Sequence, residues 1–153
     1  MMDLVATGGR ITEMSLEAIQ KVNALAEVSR QFPQVEIETH HAIHGGMYAR
    51  TISLKAGVML TGVLIKVPTM LVINGDVTVF ADNESFRLTG FHSIPASANR
   101  KQAFIAHADT AMTMLFTTDA TTIEQAENEF TDEADILMSR SEDAKNFIII
   151  TGE

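Results

Sequence analysis

The feature that most narrows what this chain can become lies between residues 34 and 118. Short apolar segments follow one another there, and no helical stretch long enough for a parallel crossover interrupts them. Residues 34–39 alternate, with Val35 and Ile37 apolar against Glu36 and Glu38. Further segments follow at 47–54, 59–67, 70–73, 77–80, 85–88, 102–105 and 111–117. Runs rich in branched side chains, recurring every ~8–12 residues between Gly, Pro, Asn and Asp, read as strands of a sandwich or barrel. Asp82-Asn83, between two such runs, is a hairpin signal.

Helical patterns flank this region. Across 15–32, Leu16, Ile19, Val22, Leu25, Ala26 and Val28 recur at helical spacing. Ser15 is placed to cap that helix, and Pro33 to stop it. Such a helix is expected to pack on the barrel or on a neighbouring subunit. Thr121-Thr122-Ile123-Glu124 has the form of a capping box, predicting a helix through about residue 130 that resumes near 133–139. Glu124, Glu127, Glu129, Asp132, Glu133, Asp135, Glu142 and Asp143 crowd residues 124–143, opposed in that span only by Arg140. They read as a solvated acidic face, or as a docking face for a basic partner. Phe147-Ile148-Ile149-Ile150 is too apolar to be left as a bare strand, so it is expected to pair with a sheet edge, in its own chain or in a partner. Three parts result: 1–33, a helical extension; 34–120, the barrel; 121–153, the acidic helix and apolar tail.

Composition excludes several classes. The length, 153 residues, suits one domain. Eleven Lys and Arg against twenty Asp and Glu, a net charge of −9, argue against nucleic acid as a partner, because phosphate contacts need clustered cations. No apolar run approaches the ~18 residues of a membrane span. Residues 1–4 carry no basic, then apolar, leader pattern. Cysteine is absent, which removes disulfides and thiolate metal sites and suits a cytoplasmic location. The nine methionines are scattered through apolar positions and are read as core filling.

Two polar groupings remain. His40, His41 and His44 are the one histidine cluster. A loop is expected there, and in an extended chain His40 and His41 would face opposite ways. Tyr48, Arg50, Arg100, His107 and Asp109 form the candidate ligand set. Tyr48 and Arg50 share a strand face by spacing. A guanidinium inside a barrel must hold an internal carboxylate, with Asp109 the first candidate and Asp76 the second, or else an anionic small molecule. His107 and Asp109, two apart, could pair as a general base.

Residues 56–116 resemble a cupin jelly roll. Ala56-Gly57 through Gly75-Asp76-Val77-Thr78-Val79 is similar to the first cupin motif, Gly75-Asp76 standing at its hairpin, and 91–100 is similar to the second, with Ile94-Pro95-Ala96 leading into the next strand. A wider stretch resembles a cupin-like group of phages and bacteria, through His40-His41, Tyr48-Ala49-Arg50, Lys55-Ala56-Gly57, Arg100-Lys101, Ala106-His107-Ala108-Asp109-Thr110 and Thr118-Asp119. The resemblance implies an all-β cupin jelly-roll barrel with an N-terminal helix and a C-terminal helical segment. Its metal-ligand positions fall near Val63, Ile65, Thr69 and Arg100, whose side chains are poor or impossible ligands. Neither metal nor cofactor is therefore expected. The expected role is a non-catalytic binding or assembly module, homo-oligomeric and phage-encoded, acting in the virion or the host cytoplasm. The alternative is a metal-independent isomerase or lyase acting on a sugar-like or anionic molecule.

Overall fold

The structure, a computed structural model, describes residues 9–153; the 1–4 stretch read above for a leader lies outside them. Eight strands form one sheet among the described residues: β1 (Thr39–His44), β2 (Met47–Leu54), β3 (Met59–Thr61), β4 (Thr69–Ala81), β5 (Glu84–Ala96), β6 (Ala103–Ala106), β7 (Thr110–Thr117) and β8 (Asn146–Ile150). Helix α1 (Leu16–Ser29) precedes them. Helix α2 (Ile123–Phe130) and two 3-10 turns, Ala134–Ile136 and Met138–Arg140, separate β7 from β8. The all-β expectation, with a helix before the strands and a helical segment after them, holds.

The path through the sheet runs β3-β6-β4-β7-β2-β1-β8, and β5 pairs with β4. Every pairing is antiparallel except β1 with β8. Alternate residues turn inward: Leu71, Ile73, Val77 and Val79 of β4 meet Phe86, Leu88 and Ile94 of β5, with Phe104 and Met112. Burying each such side chain stabilises the fold by ~1.5–3 kcal/mol relative to exposure. A second cluster, around Tyr48, Phe116 and Phe130, seats α2 against β2 and β7.

The long β4–β5 hairpin turns at Asp82-Asn83, as its sequence signals, with Ala81 opposite Glu84. Gly75-Asp76, by contrast, is not a hairpin. Gly75 lies mid-strand opposite Gly90, where β4 exchanges β7 for β6 as its neighbour. A Cβ on Gly75 would lie 2.3 Å from Thr110 Oγ1 and 2.7 Å from its Cα, so only glycine admits this crossing. The Thr110 hydroxyl accepts from the Asp76 N–H at 3.0 Å and locks the bend.

Several boundaries differ from the sequence expectation. The first strand is β1, not residues 34–39. Val35 stays half exposed, while Thr39, His41 and Ile43 alternate inward. The inward residues include a histidine and a threonine, so hydropathy hides their alternation. The 59–67 segment is a strand only over β3. Beyond it Leu64 N donates to Glu133 Oε1 and Lys66 N to the Phe130 carbonyl, so the C-terminal segment takes backbone groups that a sheet neighbour would otherwise hold. Ser15 does cap α1, accepting from Ala18 N. The second cap is one residue later than expected: Thr122 accepts from Gln125 N, and Gln125 Oε1 accepts from Thr121 N. Residues 146–150 pair with an edge of their own sheet, along β1.

Candidate functional site

Strands β2 and β7 run side by side, with Arg50 opposite Met114 and Ile52 opposite Met112. These side chains border a cavity of about 190 Å³ inside the sheet. Val63 and Ile65 of the irregular segment form a facing wall, and Ile136 and Met138 of the 3-10 turns lie over it. Phe104, Met112 and Met114 contribute to the lining without filling the space. Thr39, Arg50, Thr61, Arg100 and Gln102 supply the polar side chains.

Arg100 is 2% exposed. Its Nη1 donates to the Ser97 carbonyl at 2.7 Å, Nη2 to Thr69 Oγ1 at 2.6 Å, and Nε to Gln102 Oε1 at 3.2 Å. All three acceptors are neutral, and no carboxylate pairs with this group among the described residues. Burial therefore acts alone and pulls its pKa down to about 10. The group remains a full cation at neutral pH. A guanidinium carries five N–H donors, so three bonds leave two. Beside it Gln102, 5% exposed, holds an Nε2 that has no hydrogen-bond partner. Buried amide donors are seldom left unpaired, and Gln102 lines the cavity together with Arg100.

Arg50 is placed differently. Its Nη1 donates to Glu127 Oε2 at 2.9 Å and Nη2 to Ser139 Oγ at 3.0 Å, while the guanidinium lies 5.6 Å from the Phe130 ring centre. Arg140 Nε reaches the other Glu127 oxygen at 2.9 Å. Burial alone would raise the Glu127 carboxyl. The bonds from Ser139, Arg140 and Arg50 outweigh it and hold the group below its ordinary range. Neither Asp109 nor Asp76 is the internal partner of Arg50. Glu127 is, at 3% exposure, so it leaves the solvated acidic face expected of it.

Tyr48 is fully buried behind Arg50, and burial raises its phenol pKa. Its hydroxyl meets His41 Nδ1 at 2.7 Å, and His41 Nε2 meets Asn146 Oδ1 at 2.6 Å. Because that oxygen can only accept, Nε2 carries the proton and Nδ1 accepts from Tyr48. Burial lowers the His41 pKa, which keeps the ring neutral. The histidine cluster thus lies on a strand and not in a loop. His41 faces inward, whereas His40 stacks on Phe147 and His44 bonds Thr151 Oγ1.

His107 and Asp109 do not join the cavity. Both are exposed, in the turn between β6 and β7. His107 Nε2 bonds Thr78 Oγ1, and Asp109 accepts from Ala56 N and pairs with Lys55. The Ala56 N–H, then the Lys55 charge, lower the Asp109 pKa. No hydrogen bond links His107 to Asp109, so the expected base pairing is absent. Asp76 holds Arg87 through two 2.7 Å bonds at the surface. Of the five candidates, then, Arg50 and Arg100 line the cavity, Tyr48 stands behind Arg50, and the other two lie elsewhere.

The four positions where the resemblance implies metal ligands do converge. Val63, Ile65 and Arg100 line one cavity, and Thr69 is bonded to Arg100. Their chemistry does not fit a divalent ion: two are hydrocarbon, one is a cation, and the hydroxyl is already engaged. Sequence reasoning missed Gln102 and Glu127. For Glu127 a signal existed, since Ile123, Glu127 and Phe130 share one stripe of α2 at i, i+4, i+7 spacing.

No family model matches the chain, and no curated protein matches it. Solved structures similar to it include a cupin superfamily protein from Desulfitobacterium hafniense, with 12% identity and TM-score 0.47, covering 60% of this chain and 88% of that one. A Cupin 2 conserved barrel domain protein from Salinispora arenicola shows 8% identity and TM-score 0.47, over 63% and 88%. KdgF from Halomonas sp. shows 17% identity and TM-score 0.47, over 59% and 87%. These are likenesses of fold.

Proposed function

We propose that this chain is a non-catalytic binding module whose interior cavity holds a small anion with an apolar body, clamped by Arg100. The carrying observation is the buried Arg100 cation, which has neutral partners only and stands beside the unpartnered Gln102 amide on the cavity wall. An entering carboxylate or similar oxyanion would accept from both, and the apolar walls would take the rest of the molecule. Charge-assisted bonds of this kind select strongly between an anion and its neutral isostere, because the latter leaves the cation uncompensated.

The enzymatic alternative, an isomerase or lyase working without metal, needs a base beside the substrate. Among the described residues no His, Asp, Glu or Lys lines the cavity, and His107 lies outside it. That favours binding over turnover.

Calorimetry and thermal melting with benzoate, benzamide, octanoate and octanamide test this reading. Each carboxylate should bind and raise the melting temperature, and its amide should bind at least ~10-fold more weakly. Arg100→Met should abolish the difference. Equal affinity for benzoate and benzamide, or full benzoate binding by Arg100→Met, would refute it.

A further inference from the structure

The cavity that Arg100 faces holds about 190 Å³, below the ~300–1,000 Å³ of most small-molecule sites. A larger space adjoins it. This groove, of about 780 Å³, is lined by α1, residues 32–35, residues 57–63 and the 3-10 turns. Residues 60–63, Ile136 and Met138 border both spaces. A molecule too long for the cavity would therefore pass these residues and enter the groove.

The shared rim is held at its ends and apolar in its middle. Before the 3-10 turns, Glu133 Oε1 accepts from Leu64 N at 2.8 Å; beyond Met138, Ser139 Oγ accepts from Arg50 Nη2 at 3.0 Å. Between these anchors Ile136 is 60% and Met138 39% exposed. A methionine side chain is flexible enough to refit around whatever passes it. Phe32 and Val35, in the same groove, are 64% and 52% exposed. Four large apolar side chains thus meet water along one groove, which suits it to an apolar occupant. The charges of the groove are already matched: Lys101 Nζ lies 3.1 Å from Glu133, and Arg30 pairs with Glu27. An anionic head gains more at Arg100, whose acceptors are all neutral.

We infer that the ligand is a long-chain alkyl carboxylate, its head on Arg100 and its chain crossing the rim at Ile136 and Met138 to lie against Phe32 and Val35. The inference rests on the anion reading above and adds the shape of the apolar body. A compact anion would leave the apolar side chains of the groove in water. An extended peptide with a terminal carboxylate would carry backbone N–H and C=O groups past Val63, Ile136 and Met138, whose side chains offer them no partner. An alkyl chain needs none and bends freely.

Each methylene buried adds roughly 4-fold in affinity. Calorimetry below the micellar concentration should therefore find dodecanoate at least ~10-fold tighter than octanoate, with one molecule per chain. Combining Phe32→Ser with Val35→Ser, both at exposed positions, should bring that ratio below ~3-fold. Stearate carrying a nitroxide near its methyl end should broaden the NMR signals of the Val35 and Ile136 methyls more than those of Leu71, which lines the cavity. No gain from octanoate to dodecanoate, an unchanged ratio in the double variant, or broadening strongest at Leu71 overturns the inference. Octanoate binding more tightly than octanamide would keep the anion reading through that failure, whereas equal affinity for dodecanoate and dodecanamide would sink both. A short Leu and Ala peptide ending in a free carboxylate and binding as tightly as dodecanoate would give the groove to a peptide. Self-association lost on the same two substitutions would give it to a second copy. Either result also overturns the inference.

Discussion

Replacing Glu127 with Gln should remove much of what fastens the C-terminal segment to the sheet. The carboxylate side chain is 4% exposed and receives Arg50, Arg140 and the Ser139 hydroxyl. Gln is isosteric, so no cavity forms. What changes is that two guanidinium groups, 13% and 21% exposed, lose their common counter-charge. Breaking a buried ion pair by removing one partner costs ~3–5 kcal/mol, and partial exposure of the arginines places this case at about 3 kcal/mol. At ~2–4 °C per kcal/mol for a domain of this length, the melting temperature should fall by about 6–12 °C. Urea unfolding at neutral pH measures the free energy directly, and Glu127→Leu combined with Arg50→Met should recover part of it. There is also an acid signature. Burial would raise the Glu127 pKa, but the bonds from Ser139, Arg140 and Arg50 depress it overall. Its stabilising contribution is thus complete above the pKa of the unfolded chain and is lost as pH falls through the folded one. Glu127→Gln should flatten stability in that acid range. A variant within ~0.5 kcal/mol of wild type, or one with unchanged acid sensitivity, would refute the clamp.

Burial lowers the His41 pKa, so the unfolded chain takes up its proton first, and stability should decline as pH falls below the ordinary histidine value. Urea midpoints should show this decline in wild type and lose it in His41→Gln. Gly75→Ala should cost ~1–3 kcal/mol by unfolding measurements, because its Cβ meets Thr110 backbone as well as side chain. His107→Ala and Asp109→Ala should leave calorimetric benzoate affinity unchanged, since neither side chain lines the cavity.

The regular elements were legible wherever a local signal decided them. Ser15 caps α1 because a hydroxyl suits an open first turn, and Asp82-Asn83 turns the long hairpin. Strands β2 and β7 keep close to their expected limits, since each carries enough apolar residues to mark its inward face. Residues 40–44 of β1 read as a loop in the sequence because the inward face of the strand carries Thr39 and His41. Those side chains are buried only because Tyr48 and Asn146 bond the imidazole.

Local pattern alone set the kind of architecture, since closely spaced apolar runs allow a sheet and leave no room for crossover helices. Which charge meets which was decided only in three dimensions. Arg50 finds Glu127 across 77 positions, while Arg100 finds no carboxylate. Spacing along a chain fixes directions within one element, whereas an ion pair between elements depends on how they pack. Folding brought β1, α2 and the second 3-10 turn around Arg50 and left Arg100 facing the cavity.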